Sequence, residues 1–410
     1  MTNKAIYFSG LNGLRFFAAF AVIVTHIELM KKYFGFDNLW VDSGSVFTSA
    51  PINHVLNNEK HFLSPLVAES GPLGVVFFFV LSGFLITYLL FREKEQEGNI
   101  DIGSFYMRRI LRIWPLYFLI FIIGFFLLPQ LPWFYVKGQS EAFNQNFWGN
   151  FWCYLFFVPN LAYSMFMAVP NIGQSWSIGV EEQFYLIWPV LLKYFKNSLR
   201  VILIFGVLLV AIKVVVLLLA SGEEFTALRK FLAMSKLECM SLGGLGAWLV
   251  FYKKQAWLNI FFSPITQIVA IIAIPLLVYF TPPFLQNGIH LVYGFCFLVV
   301  ILNVSFGPSS LIKCKGRIWT FLGKISYGIY MYHLMVIVLL LSIIRYCGVE
   351  GRTMSPFINL ALYFSATLIT VAISYLSYEF FEKKWIAMKG RFTKVVSGSD
   401  SVIKNSEIGI

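Results

Sequence analysis

The sequence predicts an all-α integral membrane protein of about ten transmembrane helices, with one re-entrant or interfacial segment near 147–177 and both termini cytoplasmic. Three observations carry that expectation. Hydrophobic residues make up 58% of the 410-residue chain and charged residues only 13%, against about a quarter charged in soluble domains. Apolar runs long enough to cross a hydrocarbon core about 30 Å thick recur along the whole chain. The basic residues behind the net charge of +12 lie mainly in short segments between those runs. That is the charge bias of membrane topology, and no stripe or arm suited to nucleic acid is formed, so membrane lipid and not nucleic acid is the expected surrounding.

The spans fall near 11–30, 72–91, 112–129, 178–196, 200–220, 231–251, 259–280, 288–306, 318–344 and 356–381. A further apolar run over 147–167 is broken by Pro159 and Asn160. With ten spans and the N-terminus inside, Arg92, Lys94, Arg108, Arg109, Arg112, Lys193, Lys196, Lys253, Lys254, Lys313 and Lys315 all fall on the inner side. Counting 147–167 as an eleventh span would invert everything after it and put the later basic loops outside. The segment is therefore expected to dip in from the outer side, which irregular backbone does only where protein or a wet cavity surrounds it. Residues 1–390 read as one transmembrane domain and 391–410 as a polar, disordered tail. The first span is too long for a cleavable signal. The five cysteines are scattered, with no CxxC or Cys/His spacing, so neither a disulfide framework nor a metal site is indicated.

Taken in order, the first span carries two ionisable side chains, Arg15 and His26. They are about 16 Å apart along a helix axis, half a bilayer core. Such groups inside a span mark either a function or a buried pair. Ser82–Gly83 interrupts the bulky second span and allows close helix approach. Arg108, Arg109 and Arg112 precede the third span, with Arg108 and Arg112 on one face. They read as an inner-side topological anchor or as a clamp for a phosphorylated ligand, since guanidinium forks match phosphate oxygens. Glu181 and Glu182 stand at the expected outer mouth of the fourth span, among Trp176, Phe184, Tyr185 and Trp188. An acidic pair beside aromatic rings suits a sugar, although helix-dipole complementarity and an interface belt explain the same residues. Ser326, Tyr330 and His333 form a polar stripe on the ninth span. Glu382, next to Lys383 and Lys384, reads as a solvated interfacial cluster, and Lys213, Lys236 and Glu238 as snorkelling or mutually paired.

In this order the stretches resemble the integral-membrane acyltransferase-3 family. The resemblance rests on Arg15-x10-His26, FFVLSGFLIT at 78–87, RRILRIWP at 108–115, WSIGVEEQFYLIWP at 176–189, GKISYGIYMYH at 323–333 and SYEFFEKKW at 377–385. Lys384 departs from the proline usual in the family. The resemblance implies a stand-alone O-acyltransferase of the bacterial inner membrane, without a fused hydrolase-like domain. It would move an acyl group, in the simplest case acetyl, from cytoplasmic acyl-CoA to a hydroxyl of an extracytoplasmic glycan or lipid-linked saccharide. No permanently bound cofactor is implied, and acyl-CoA is the donor substrate. The catalytic set is then His26, as general base or acyl carrier, with Arg15 steering the donor or stabilising an oxyanion. Glu181 either orients the imidazole or holds the sugar. Arg108, Arg109, Arg112 and Ser82 form the donor-binding set, and Trp176, Glu182, Tyr185, Tyr330 and His333 the acceptor-binding set. The rival expectation is a proton-coupled secondary transporter or glycolipid flippase, which also uses intramembrane Arg, His and Glu; the lack of internal repeats speaks against it.

Overall fold

The computed structural model describes residues 8, 10–37, 64–220, 222–282, 285–349 and 353–393, and everything regular among them is helical. The expected tail from residue 394 onward and both chain ends lie outside the described residues.

The hub is α2 (Ser64–Glu97). At about 1.5 Å per residue its 34 residues reach about 51 Å, well beyond a bilayer core. α1 (Leu11–Tyr33) packs along one side of it, and α3 (Ile102–Ile122) returns antiparallel after a turn capped by Asp101, whose carboxylate accepts from the Ser104 amide at 3.0 Å. A π-helical turn over Ile123–Leu127 ends α3.

The stretch expected to be re-entrant is a series of short pieces: α4 (Gln139–Gln145), α5 (Phe147–Leu155) and α6 (Pro159–Met165). Two non-glycine residues at positive φ break the path, Phe157 at 58°, where a bulky side chain is disfavoured, and Asn171 at 65°, where Asn is tolerated. Phe157 is held there by stacking against Trp114 and Tyr117, with ring centroids 4.9 and 4.3 Å away. Both partners lie in the middle of α3, so the segment reaches inward between helices without crossing. Tyr117 donates to the Tyr154 carbonyl at 2.8 Å and closes the same contact.

From that inward point α7 (Trp176–Tyr194) runs parallel to α2. Paired contacts set the register: Trp176 with Phe79, Glu181 with Ser82, Trp188 with Thr87 and the Leu192 carbonyl with Lys94. Because Phe79 is near the midpoint of α2, α7 begins halfway along the bundle.

α8 (Ser198–Leu219) is apolar apart from Arg200 and Lys213 and buries only Ile202, as expected of a lipid-facing span. The run expected over 231–251 divides into α9 (Thr226–Met234) and α10 (Leu237–Phe251). α10 packs against α2 through glycines. A Cβ on Gly83 would come within 1.9 Å of the Met240 carbonyl, and one on Gly243 within 2.0 Å of the Val80 carbonyl. α11 (Gln255–Phe262) and α12 (Pro264–Phe280) meet at a 58° bend, and α13 (Ile289–Phe306) packs beside α2 and α10. The ninth expected span also divides, into α14 (Arg317–Lys324) and α15 (Ser326–Tyr346). α16 (Pro356–Ser377) ends in a second π-helical turn, Tyr378–Glu382, followed by α17 (Lys383–Met388).

Among the described residues, seven helices are long and apolar enough to span a membrane, or eight when the bent α11–α12 pair is one span. Of the ten expected spans, α7 and α10 fall outside that test. α10 has only 15 residues, and α7 carries three charged side chains, Glu181, Glu182 and Lys193.

Candidate active site

One cavity of about 260 Å³ opens at the end of the bundle where α1 and α3 begin. Arg15 from α1, Arg109 and Arg112 from α3, Ser82 from α2, Glu181 and Tyr185 from α7, and Tyr330 from α15 all line it. Tyr378, Glu382 and Lys389 close it from the C-terminal side. These side chains come from six places in the sequence. They converge because α2, α3 and α7 bring their polar turns to the same level.

The three arginines carry the electrostatics. Arg15 donates to Asn12 Oδ1 at 2.9 Å. Arg109 stacks on Phe105 and Tyr185, 5.6 and 5.9 Å from their centroids, and its buried Nε has no hydrogen-bond partner. None of Arg15, Arg109 and Arg112 forms an ion pair with a described carboxylate. Glu181 is held instead by Ser82 Oγ at 3.1 Å and the Tyr185 hydroxyl at 2.7 Å. Together with Lys324 and Lys389, five cationic side chains face the cavity against the carboxylates of Glu181 and Glu382. That excess suits a ligand carrying several negative charges.

Arg108 has a different environment from its neighbours. Its guanidinium is clamped by Glu93 Oε2 at 2.7 Å and the Phe392 carbonyl at 2.8 Å, and it is absent from the cavity wall. Expected on one face with Arg112, it is engaged by the chain that follows α17, so it serves to tie α3 to α2 and the C-terminal segment.

Beyond the cavity lies a pair of histidines. Eleven residues of α-helix turn through about 1100°, so His26 lies within about 20° of the Arg15 face, three turns along α1. His26 is partly buried, and its Nδ1 lies 2.9 Å from the Val22 carbonyl and 3.2 Å from His333 Nε2. His333 is fully buried on α15, and its Nδ1 lies 2.7 Å from the Tyr330 carbonyl. Tyr330 links this pair to the cavity. Its hydroxyl sits 2.7 Å from Ser177 Oγ and 3.2 Å from the Gln174 carbonyl, while Gln174 Nε2 donates to the Met331 carbonyl at 2.7 Å.

The residues expected at an outer sugar platform are arranged differently. Trp176, Tyr185, Tyr330 and His333 are buried between helices, and Tyr185 and Tyr330 face the arginine cavity. Glu181 lies in that cavity, where its carboxylate meets Ser82 and Tyr185 rather than His26. Glu182 accepts from Trp114 Nε1 at 3.1 Å, leaving its other oxygen buried without a partner. The physical reason is the start of α7 at the middle of the bundle, which carries its first turns inward from the expected mouth.

Glu382 also differs from the solvated cluster expected. It is buried, accepts from Ser377 Oγ at 3.0 Å and lines the cavity, while Lys383 pairs with Glu379 at 2.9 Å. The π turn causes this. One extra residue in the turn rotates Tyr378 and Glu382 away from the face that a 3.6-residue period assigns them. Asn12, Ser177, Lys324, Tyr327, Tyr378 and Lys389 are site residues that sequence reasoning passed over. Only Asn12, three residues before Arg15, had a readable signal in its i,i+3 spacing. Glu238 pairs with Lys213 and His290, in a cluster separate from this site.

The fold and this site define a helical, multi-pass membrane protein with a cationic cavity that leads toward a buried histidine pair. Among known families, the acyltransferase-domain model of the acyltransferase-3 family matches residues 8–379, and the chain belongs to that family. It is similar to the O-acetyltransferase OatA of Staphylococcus aureus, 25% identical over 392 residues that cover 92% of this chain and 57% of the relative. The peptidoglycan O-acetyltransferase OatA of Listeria monocytogenes is 29% identical over 290 residues, covering 66% of this chain and 46% of the relative. The chain thus spans about half the length of the curated relatives it matches. No solved structure matches it.

Proposed function

We propose that this protein is a membrane O-acyltransferase of the bacterial cytoplasmic membrane. It takes an acyl group, in the simplest case acetyl, from cytoplasmic acyl-CoA and passes it to a hydroxyl of a cell-wall or other extracytoplasmic glycan. The observation that carries this reading is the cavity whose three arginines form no ion pair with a described carboxylate, one of them, Arg15, on the same face of α1 as His26. The relatives' names, which specify O-acetyl transfer and in one case peptidoglycan, supply the acceptor class.

The chemistry follows from the charges. Arg15, Arg109 and Arg112 bind the phosphates of the donor, and its narrow pantetheine arm extends along α1 toward His26. The acceptor hydroxyl attacks the thioester carbonyl carbon while His26 Nε2 takes its proton. The C–S bond breaks, and the CoA thiolate leaves with that proton as a free thiol. In a two-step version Nε2 itself first takes the acyl group and the acceptor hydroxyl then receives it. The supporting topology has ten spans with both termini cytoplasmic. α9 with α10, α11 with α12 and α14 with α15 each count as one, and the cavity opens to the CoA side.

The test is labelled acetyl-CoA given to purified protein with peptidoglycan fragments. Label on the fragments is the expected result. Movement of a saccharide across vesicles with no label transferred would instead favour a carrier. Label retained on the protein without acceptor, and lost in His26→Gln, identifies the two-step route.

A further inference from the structure

The two histidines contact one another, and their partners leave one way to distribute protons between the neutral rings. A carbonyl oxygen only accepts, so His333 Nδ1, 2.7 Å from the Tyr330 carbonyl, must carry a hydrogen. Its Nε2 is then bare. His26 Nδ1 lies 2.9 Å from the Val22 carbonyl, so it too must carry the hydrogen, which it shares with the bare His333 Nε2 at 3.2 Å. The reverse direction fails. A hydrogen on His333 Nε2 would set two lone pairs against each other at the Tyr330 carbonyl, and a bare His26 Nδ1 would do the same at Val22. The remaining nitrogen, His26 Nε2, is left unprotonated and has no hydrogen-bond partner among the described residues.

We propose that His333 is a positioning residue that holds His26 in the Nδ1–H tautomer with Nε2 bare for the acyl-transfer step. The inference rests on the acyl-transfer reading and gives its base a defined atom. Full burial of His333 on the rigid α15, with the rings 4.9 Å apart and inclined at 54°, fixes the direction of the contact. When His26 Nε2 accepts the acceptor's proton, the ring becomes a cation with hydrogens on both nitrogens. Its Nδ1–H then points at the lone pair of His333 Nε2, which stabilises that charge. As the thiolate leaves and takes the proton from Nε2, the neutral pair is restored. No net proton stays on either ring. His333 therefore acts through His26 and touches neither the donor nor the acceptor in this scheme. Val22 supplies a second acceptor for the same Nδ1–H, so loss of His333 weakens the base without removing it.

The experiment uses the full-length protein in detergent, with acetyl-CoA and peptidoglycan fragments, and compares His333→Leu with His333→Gln. Leucine removes the acceptor, whereas the Gln side-chain oxygen can occupy the position of Nε2. The expected result is a fall of about 10- to 100-fold in kcat for His333→Leu. KM for acetyl-CoA stays unchanged, and His333→Gln recovers most of the rate. Nitrogen-15 spectra of histidine-labelled wild type provide a readout independent of turnover, because protonated and bare imidazole nitrogens have well-separated shifts. Assigned against His26→Gln, they should show His26 with Nδ1 protonated and Nε2 bare. A bare Nδ1 on His26 overturns the proposal, as does wild-type kcat in His333→Leu or a change confined to KM. If His333→Leu does not fold, the spectra and the His333→Gln rate still decide. A wild type that shows the expected tautomer but transfers nothing counts against the acyl-transfer reading, whereas inactive His26→Ala beside fully active His333→Leu counts against this inference alone.

Discussion

Three closely spaced arginines on α3 show how much one helical step changes at the residue scale. Arg109 and Arg112 face the cavity, while Arg108 is neutralised by buried Glu93. Their substitutions should therefore fail in different ways. Arg109→Ala and Arg112→Ala are each expected to weaken acyl-CoA binding by about 1.5–3 kcal/mol, the range for hydrogen bonds to charged groups, with little effect on melting in detergent. Arg108→Ala strands a buried carboxylate and is expected to cost about 3–5 kcal/mol of stability, read as a lowered melting temperature. Calorimetric titration with acetyl-CoA distinguishes the two classes; equal binding losses at all three positions would contradict the geometry. For His26, alanine and glutamine variants should both lose transfer by about 10²–10⁴-fold while acyl-CoA still binds. Glutamine keeps size and a hydrogen bond but cannot take up the proton. Robust turnover by His26→Gln would return His26 to a packing role.

At the scale of elements, the joint between α2 and α10 depends on the absence of side chains. Gly83 and Gly243 each face a carbonyl of the opposite helix at a distance no Cβ tolerates. Backbone cannot move aside as a flexible side chain can, so Gly83→Ala is expected to destabilise by about 1–3 kcal/mol through overpacking. Since Ser82 precedes it and holds Glu181, the same change should also disturb the cavity. Melting measurements and acetyl-CoA binding on one preparation test both effects, and a variant that melts like wild type would show the contact to be looser than described. The π turn at Tyr378–Glu382 is the other decisive element. The motif was legible in the sequence, but its face was not, because the extra residue breaks the period from which faces are read.

For the whole molecule, the ten-span topology makes a simple labelling prediction. Single cysteines placed at Asn99 and Gly390 of a cysteine-free variant should react with impermeant maleimide only after the inner face is opened. One at Ser140 should react from outside. Ser140 and Lys196 labelling from the same side would mean that the inward segment and α7 together do not carry the chain across and that the span count is wrong. The start of α7 midway along α2 is the structural counterpart of that prediction. It follows from Phe157 and Asn171 at positive φ and from the ring stack on Trp114 and Tyr117, none of which a hydropathy profile registers.

The amino-acid sequence alone determined that the chain is helical and crosses a membrane repeatedly, because apolar run length and basic loop residues answer directly to bilayer thickness and charge. It also determined the Arg15–His26 face, since eleven residues return an α-helix to nearly the same direction. Tertiary structure alone decided which of the clustered arginines stay free, because that turns on Glu93 and the Phe392 carbonyl, one on another helix and one near the far end of the chain. It decided that Glu181 and Tyr185 join the arginines rather than an outer platform, through the depth at which α7 begins. The pairing of His26 with His333 belongs there as well, the two standing 307 positions apart in sequence and 3.2 Å apart in space. Local periodicity sets a side chain's direction on its own helix; the partner it meets is set by how helices distant in sequence pack.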